Sequence, residues 1–386
     1  PIWAYANFMD QVASIDRPAS YGIPLRYSMA AARQIESRIG PELMYFAGPQ
    51  DHSEVVPYLL GLPSFRYYSG RSVIALPKDQ AWYLTQASTL ASDFLAARFG
   101  PPSASVQTSR GAPEFHLFRV PGEQAVLSDP DFKSLQADLA PGIRLGGYAA
   151  RSLAAGQPSA LDLVWRVTDG PALAGLHLSQ YAHLSDRDGQ GWSTAPDIWD
   201  ISEPWTTGQL VVSPFELNIR ADAPLGGYWL ETGFYQTFSQ EPFGKPLRIG
   251  PLRVAAARAS NASGEALATF GDGELALLKA DWQGPEVALQ WRALAEPRAS
   301  YTVFVHAVNR AGQVVAQQDS TPLRGSFPTT LWQPGDVIQE VYNLGVAPAA
   351  GLELEIGLYT QPDVKRLPVH QPSSATVRDH VTLPSL

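Results

Sequence analysis

At 386 residues the chain is long enough for two or three domains that each bury a core of their own. Only 17% of residues are charged, and 33 Pro and 32 Gly are spread without a period, which excludes a collagen-like or disordered chain and fits short strands joined by tight turns. A net charge of -9 leaves no basic face for phosphate backbones, which argues against nucleic acid as a partner, and zero Cys excludes disulfides, thiolate metal sites and thiol nucleophiles.

In the opening segment Tyr5, Phe8, Val12 and Ile15 recur at helical spacing before the breaker Asp16-Arg-Pro18. A second helix is expected from Leu25 to Ile39, stopped by Gly40-Pro41. A strand at Leu43 to Ala47, a helix at Ser53 to Leu60, strands at Ser72 to Leu76 and Trp82 to Thr85, and a helix at Leu90 to Phe99 follow. Strands alternating with helices predict a small N-terminal α/β domain. Gly100-Pro-Pro cannot continue a helix, which places the domain boundary at 110/111. No run of about 18 apolar residues occurs, so no helical bilayer span is expected, and the start at Pro1 without Met predicts a fragment or a processed chain.

Beyond residue 110 the pattern becomes all-β, with strands expected at Glu114 to Val120, Leu161 to Val167, Leu176 to Leu184, Leu210 to Ile219 and Gly227 to Phe234. Further on, Tyr301 to Gln317 reads as a hairpin. Alternation puts Tyr301, Val303, Val305 and Ala307 on one face and Thr302, Phe304, His306 and Val308 on the other, and Asn309-Arg-Ala-Gly312 supplies the turn. Its parent unit occurs twice. Trp165-Arg166 matches Trp291-Arg292, Tyr181-Ala-His183 matches Phe304-Val-His306, Trp205-Thr-Thr-Gly208 matches Trp332-Gln-Pro-Gly335, and Ala223 to Tyr235 matches Ala347 to Tyr359. All are offset by about 125 residues, in the same order. A sheet with one apolar face must be covered by another, so the expected fold class is α+β multidomain: residues 1–110 form the α/β domain, 111–255 a first antiparallel β-sandwich, and 256–386 its duplicate, immunoglobulin-like or jelly-roll-like. The polar tail from Gln371 is expected to add at most an edge strand.

The second unit resembles the C-terminal extracytoplasmic region of bacterial polytopic membrane proteins of the protein-mannosyltransferase-like type, glycosyltransferases that use polyprenyl-phosphate sugars. The residues carrying the resemblance are Thr302-Val-Phe-Val-His306, Gly312 to Asp319, Trp332-Gln-Pro-Gly335 and Gly357-Leu-Tyr359, with Tyr21 to Tyr27 and Val55 to Gly61 similar to the segment after the last membrane helix. In that family the catalytic carboxylate lies between early transmembrane helices that this chain does not contain. The resemblance therefore implies a non-catalytic, extracytoplasmic module, tethered to the membrane through an upstream segment, with a glycan or an acceptor protein as partner. Two other readings stay open: a structural cell-surface or scaffold protein that uses the sandwiches as spacers, and an independent hydrolase.

The candidate residues each admit two readings. Asp186-Arg-Asp188-Gly189 begins like a calcium loop, but its counterpart Asn309-Arg-Ala-Gly312 lacks the carboxylates, and a hairpin turn accounts for both. Neither a metal nor a cofactor is expected. His183 and His306 occupy matching positions, either as ligands or bases or, the favoured reading, with their rings hydrogen-bonded inside each sandwich. Trp165 and Trp291 read as core residues followed by outward arginines. Asp51, His52 and Glu54, after a strand and at a helix start, form either an anion or catalytic site or a simple helix cap. Trp192, Trp199, Trp205 and Tyr228 lie in or near the long loop between Gly189 and Gly208 with Asp197, Asp200 and Glu203. Aromatic rings beside carboxylates suit the apolar faces and hydroxyls of a sugar, and packing of the loop on its own sheet competes. The matching loop, Asp319 to Gly335, keeps only Phe327 and Trp332, so the first sandwich is expected to bind and the second not.

Overall fold

The structure is a computed structural model that describes residues 25–38, 44–47, 65–87, 89–107, 113–257, 264–372 and 376–384. The expected helices carrying Tyr5 to Ile15 and Ser53 to Leu60, and with them Asp51, His52 and Glu54, lie outside the described residues.

The N-terminal layer comprises α1 (Leu25–Glu36), β1 (Met44–Ala47), β2 (Phe65–Tyr68), β3 (Ile74–Leu76), β4 (Ala81–Gln86), α2 (Leu90–Phe99), β5 (Ala104–Gln107) and β6 (Pro113–Val120). Its five-stranded sheet has the order β2-β1-β4-β6-β5. The first three strands are parallel, and β6 runs antiparallel to β4 and β5. One face packs on Ala31 and Ile35 of α1. The other meets α2, which starts at Thr89, whose hydroxyl accepts from Ser92 N, and stops at Gly100, whose φ of 91° suits glycine.

Two features differ from the sequence reading. β6 completes this sheet and does not open a sandwich, so the sheet runs past the expected 110/111 boundary. Gly100-Pro-Pro ends the helix, but the backbone groups of β4 still need a partner and find it in residues 115–120. Conversely β3, expected inside the N-terminal layer, pairs with the first all-β unit.

That unit comprises β7 (Phe132–Ala140), β8 (Ile143–Arg151), β9 (Pro158–Val167), β10 (Leu178–Ser185), β11 (Ser193–Thr194), β12 (Ile198–Ile201), β13 (Leu210–Ile219), β14 (Gly226–Gln236) and β15 (Pro242–Val254). A six-stranded sheet, β11-β13-β9-β8-β7 with β3 beside β13, faces a four-stranded sheet, β12-β10-β14-β15. Leu161, Leu163, Trp165 and Phe215 from one and Leu178, Leu184, Leu230 and Phe234 from the other share one core. The opposite faces of β9 and β13 are covered too, because Val164, Leu210 and Val212 pack against Tyr45, Tyr68 and Tyr83 of the N-terminal layer.

The second unit comprises β16 (Ala268–Phe270), β17 (Leu275–Gln283), β18 (Glu286–Ala293), β19 (Tyr301–Asn309), β20 (Val314–Ser320), β21 (Val337–Asn343), β22 (Leu352–Thr360), β23 (Lys365–Arg366), β24 (Val369–His370) and β25 (Val381–Pro384). Its sheets run β21-β18-β17-β16-β24 and β20-β19-β22-β23, with β25 also on β22. The last strand is more than an edge: Val381 is part of the core.

Strand order and register repeat between the units. Trp165 pairs with Val211 and donates Nε1 to Ser213 Oγ at 2.8 Å; Trp291 pairs with Ile338 and donates to Glu340 Oε1, two residues on, at 2.8 Å. Ser179 pairs with Tyr235 as Thr302 pairs with Tyr359. Asp186 Oδ1 accepts from the backbone of Asp188 and Gln190, and Asn309 Oδ1 from that of Ala311 and Gln313, so both loops are the same turn. Each buried tryptophan removes roughly 150–250 Å² from water, on the order of 4–6 kcal/mol per unit.

His183 and His306 correct the favoured reading: both lie on the outer face. Leu178, Ala182 and Leu184 take the inward positions of β10, and Tyr301, Val303 and Val305 those of β19, so alternation turns the histidines outward. His183 is exposed, and His306 Nε2 lies 3.1 Å from Asp319 Oδ1.

Candidate functional site

The units meet where the start of β14 abuts the turn Pro322–Gly325 and Ser326. At Gly227 an added Cβ would fall 1.9 Å from Ser326 O, so only glycine allows this approach. Arg253 pairs with Asp336 across the joint at 2.6 Å, and the Arg187 guanidinium donates to Arg324 O. Beside the Arg187–Arg324 contact lies a cleft of about 400 Å³, walled by Trp192, Tyr228, Leu225 and Leu323 and rimmed by Arg187, Asp188 and Arg324.

The first unit's hairpin turn aims Trp192 at this cleft. Trp192 Nε1 donates to Asp186 Oδ2 at 2.9 Å, its edge meets Tyr228 at 6.1 Å, and the Arg220 guanidinium lies 4.6 Å over the ring. Burial pushes the Asp186 carboxyl up, but hydrogen bonds from Trp192 and from the backbone of Gln190, Asp188 and Gly189 outweigh it and hold the group below its usual range. The ring is thus oriented before any ligand arrives. Tyr228 is buried with its hydroxyl on Pro224 O at 2.7 Å, and burial raises its phenol far above the ordinary value. Opposite, Leu323 and Arg324 both hold left-handed φ values of 49° and 57°, each an unfavourable conformation costing about 1–2 kcal/mol. Leu323 N donates to the buried Glu340 at 3.1 Å, so the carboxylate bound to Trp291 also holds the cleft's far wall.

The other sequence candidates go elsewhere. Trp205 meets Trp165 edge-on at 5.2 Å and packs into the seam with the N-terminal layer, a core residue rather than a sugar platform. Glu203, beside it, accepts from Ser69 N at 3.0 Å and from Ser69 Oγ at 2.5 Å; burial raises its carboxyl. Trp199 is 53% exposed on the edge strand β12, with its carbonyl accepting from Ser72 Oγ. Asp197 accepts from Tyr235 at 2.6 Å, and Asp200 lies 2.6 Å from His177 Nδ1, so neither carboxylate lines the cleft. The loop expected to act as one platform therefore divides between a cleft wall, a buried seam and an outer edge. The cleft also draws Leu323, Arg324 and Ser326 from the second unit, which the expectation of a site in the first sandwich alone did not include. Their only sequence signal was Pro322-Leu-Arg-Gly325, a turn that did not point to the other unit. Among the described residues no group of three or more His, Asp or Glu side chains is placed to hold a metal ion.

No protein-family model matches the chain, and no curated protein does. Among solved structures it is similar to the C-terminal domain of the AgI/II polypeptide BspA of Streptococcus agalactiae, over 66% of this chain and 97% of that one, at 9% identity and a TM-score of 0.19. A β-glucuronidase from Ruminococcus gnavus is similar over 59% of this chain and 36% of its own, at 10% identity and a TM-score of 0.14. A glycosyl hydrolase family 2 member from Bacteroides cellulosilyticus is similar over 57% and 28%, at 11% identity and a TM-score of 0.17. The match spans 36% and 28% of those two glycosidases, and likenesses this slight bear on neither fold nor function.

Proposed function

We propose that this chain is a non-catalytic recognition module that binds a glycan, free or carried on an acceptor protein, in the cleft between its two β-units. The observation that carries the reading is the Trp192 ring, fixed by Asp186 and Arg220 at the wall of an aromatic-lined cleft whose rim offers Arg187, Asp188 and Arg324. An oriented ring can take the apolar face of a sugar, and charged groups at the rim can accept and donate to its hydroxyls. We read the matching registers as a duplication, two sandwiches of immunoglobulin-like or jelly-roll-like type after an N-terminal α/β domain. Extracytoplasmic placement and tethering to a glycosyltransferase-like membrane protein remain part of the proposal, supported by the resemblance of the second unit. A purely structural spacer is the second reading, and the Arg253–Asp336 pair across the joint favours it.

Glycan-array screening of the full chain followed by calorimetric titration is the test. Trp192→Ala is expected to weaken binding by about 1–3 kcal/mol. Because Trp192 also packs on the core, Arg324→Ala, at an exposed rim position, serves as the second variant. Binding by the wild type that neither substitution changes would move the site away from the cleft, and no binding across a broad panel would favour the spacer.

A further inference from the structure

The matching registers allow the outer faces of the two units to be compared position by position. In the second unit Phe304 lies across Gly357, where an added Cβ would fall 2.2 Å from the ring, and the Arg366 guanidinium caps the ring at 4.5 Å. Arg366 is held by Asp379 at 3.1 Å, His306 sits 4.9 Å from the ring, and Phe304 is 1% exposed.

Each of these ring-side positions has a counterpart in the first unit. Tyr181 lies across Gly233, His183 stacks on it at 4.9 Å, and Glu231 faces His183 as Glu355 faces His306. Tyr235 donates to Asp197 as Tyr359 donates to Asp319. The cap differs. Where the second unit places residues between β23 and β25, β15 passes with a register shift between Thr232 and Phe234. Among the described residues no cation lies over Tyr181, whose ring is half-buried beside an exposed His183. Carboxylates stand near that face: burial, then Glu231 and Asp197, raise the Tyr181 phenol. Both carboxylates are partly engaged, Glu231 by Ser185 Oγ at 2.8 Å and Arg248 at 3.5 Å and Asp197 by the Tyr235 hydroxyl at 2.6 Å, and Glu231 acts on Tyr181 the more strongly of the two.

We propose that this uncapped, half-buried site docks an arginine side chain of a partner protein, the guanidinium lying on the part of Tyr181 that His183 leaves uncovered, as Arg366 lies on Phe304 beside His306. The planar guanidinium suits the site better than lysine, because it stacks on the ring while its N–H edge reaches the flanking carboxylates. This face is separate from the cleft, so the proposal does not depend on glycan binding there.

The test is NMR titration of the full chain, with tyrosine and histidine rings labelled, using N-acetyl-arginine methylamide and its uncharged citrulline analogue. The arginine probe is expected to shift the Tyr181 and His183 signals with millimolar affinity, and citrulline to bind about tenfold more weakly. Tyr181→Leu should cost about tenfold, Tyr181→Phe should retain binding as phenylalanine serves in the second unit, and Asp197→Asn should weaken it several-fold, roughly as expected for a screened charge contact. Equal responses to arginine and citrulline, an unchanged response in Tyr181→Leu, or a neutral sugar displacing the arginine probe would overturn the proposal.

Discussion

Gln180 is 0% exposed, and both polar atoms of its amide lack a hydrogen-bond partner among the described residues. It sits in β10 between the inward residues Leu178 and Ala182, opposite Phe234. In the second unit the matching position is Val303, opposite Leu358, fully buried in an apolar core. Gln180→Val therefore installs the residue that the same register already accommodates. Removing an unpartnered buried amide gains about 1–3 kcal/mol. Losing the longer chain opposes this by about 1 kcal/mol, a methylene's worth of packing. The net expectation is stabilisation of the first unit by about 0–2 kcal/mol, a rise of up to roughly 6 °C in its unfolding transition. Calorimetry and urea unfolding are the assays, with tryptophan fluorescence reporting the sum over the chain's ten tryptophans. The reverse substitution, Val303→Gln, should lower the second unit's transition by a comparable or larger amount. A transition in Gln180→Val that falls by several degrees would refute the reasoning, because the amide would then be a satisfied and stabilising group.

Asp129 joins Arg98 of α2 to Arg151 of β8, which also bonds Asp162 at 2.7 Å. Burial raises the Asp129 carboxyl, but hydrogen bonds from Asp131 N, Arg151 and Arg98 outweigh it and hold the group at about 2, below its ordinary 3.8. A depressed folded-state value contributes stability above about pH 4 that disappears as pH falls through about 2. Discounted for solvent screening this amounts to about 1 kcal/mol, so Asp129→Asn should lower the melting temperature at neutral pH and flatten its decline between about pH 4 and 2. Gly357→Ala should cost the second unit about 1–3 kcal/mol by overpacking against Phe304, and adding Phe304→Leu should recover part of it in urea unfolding. Gly233→Ala should cost less, since the nearest atom is the free hydroxyl end of Tyr181, 2.8 Å away, which can swing outward.

The hairpin from Tyr301, the two tryptophan strands and the twin turns at Asp186 and Asn309 were legible because their causes are local. Period-two alternation, β-branched residues and a side chain that accepts its own turn's N–H groups act within a few residues of one another. The matching registers of the two units were legible for the same reason, since each restates the same local pattern. Partner choice was not. Residues 113–120 read as a strand, but whether they joined the N-terminal sheet or the sandwich depended on which edge was left unpaired. Alternation put Phe304 and His306 on one face of β19, yet both faces carry apolar residues, and the opposing sheet decided which of them is inside. Trp192, Tyr228 and Arg324 carry no signal of proximity along the chain; the close approach at Gly227 and Ser326 brings them to one cleft. Sequence determined the elements and the pattern that recurs between the two units, through forces that act over a few residues. Tertiary structure alone decided the sheet partners, the inward faces and the cleft, because these follow from burial summed over whole surfaces that meet only once the chain has folded.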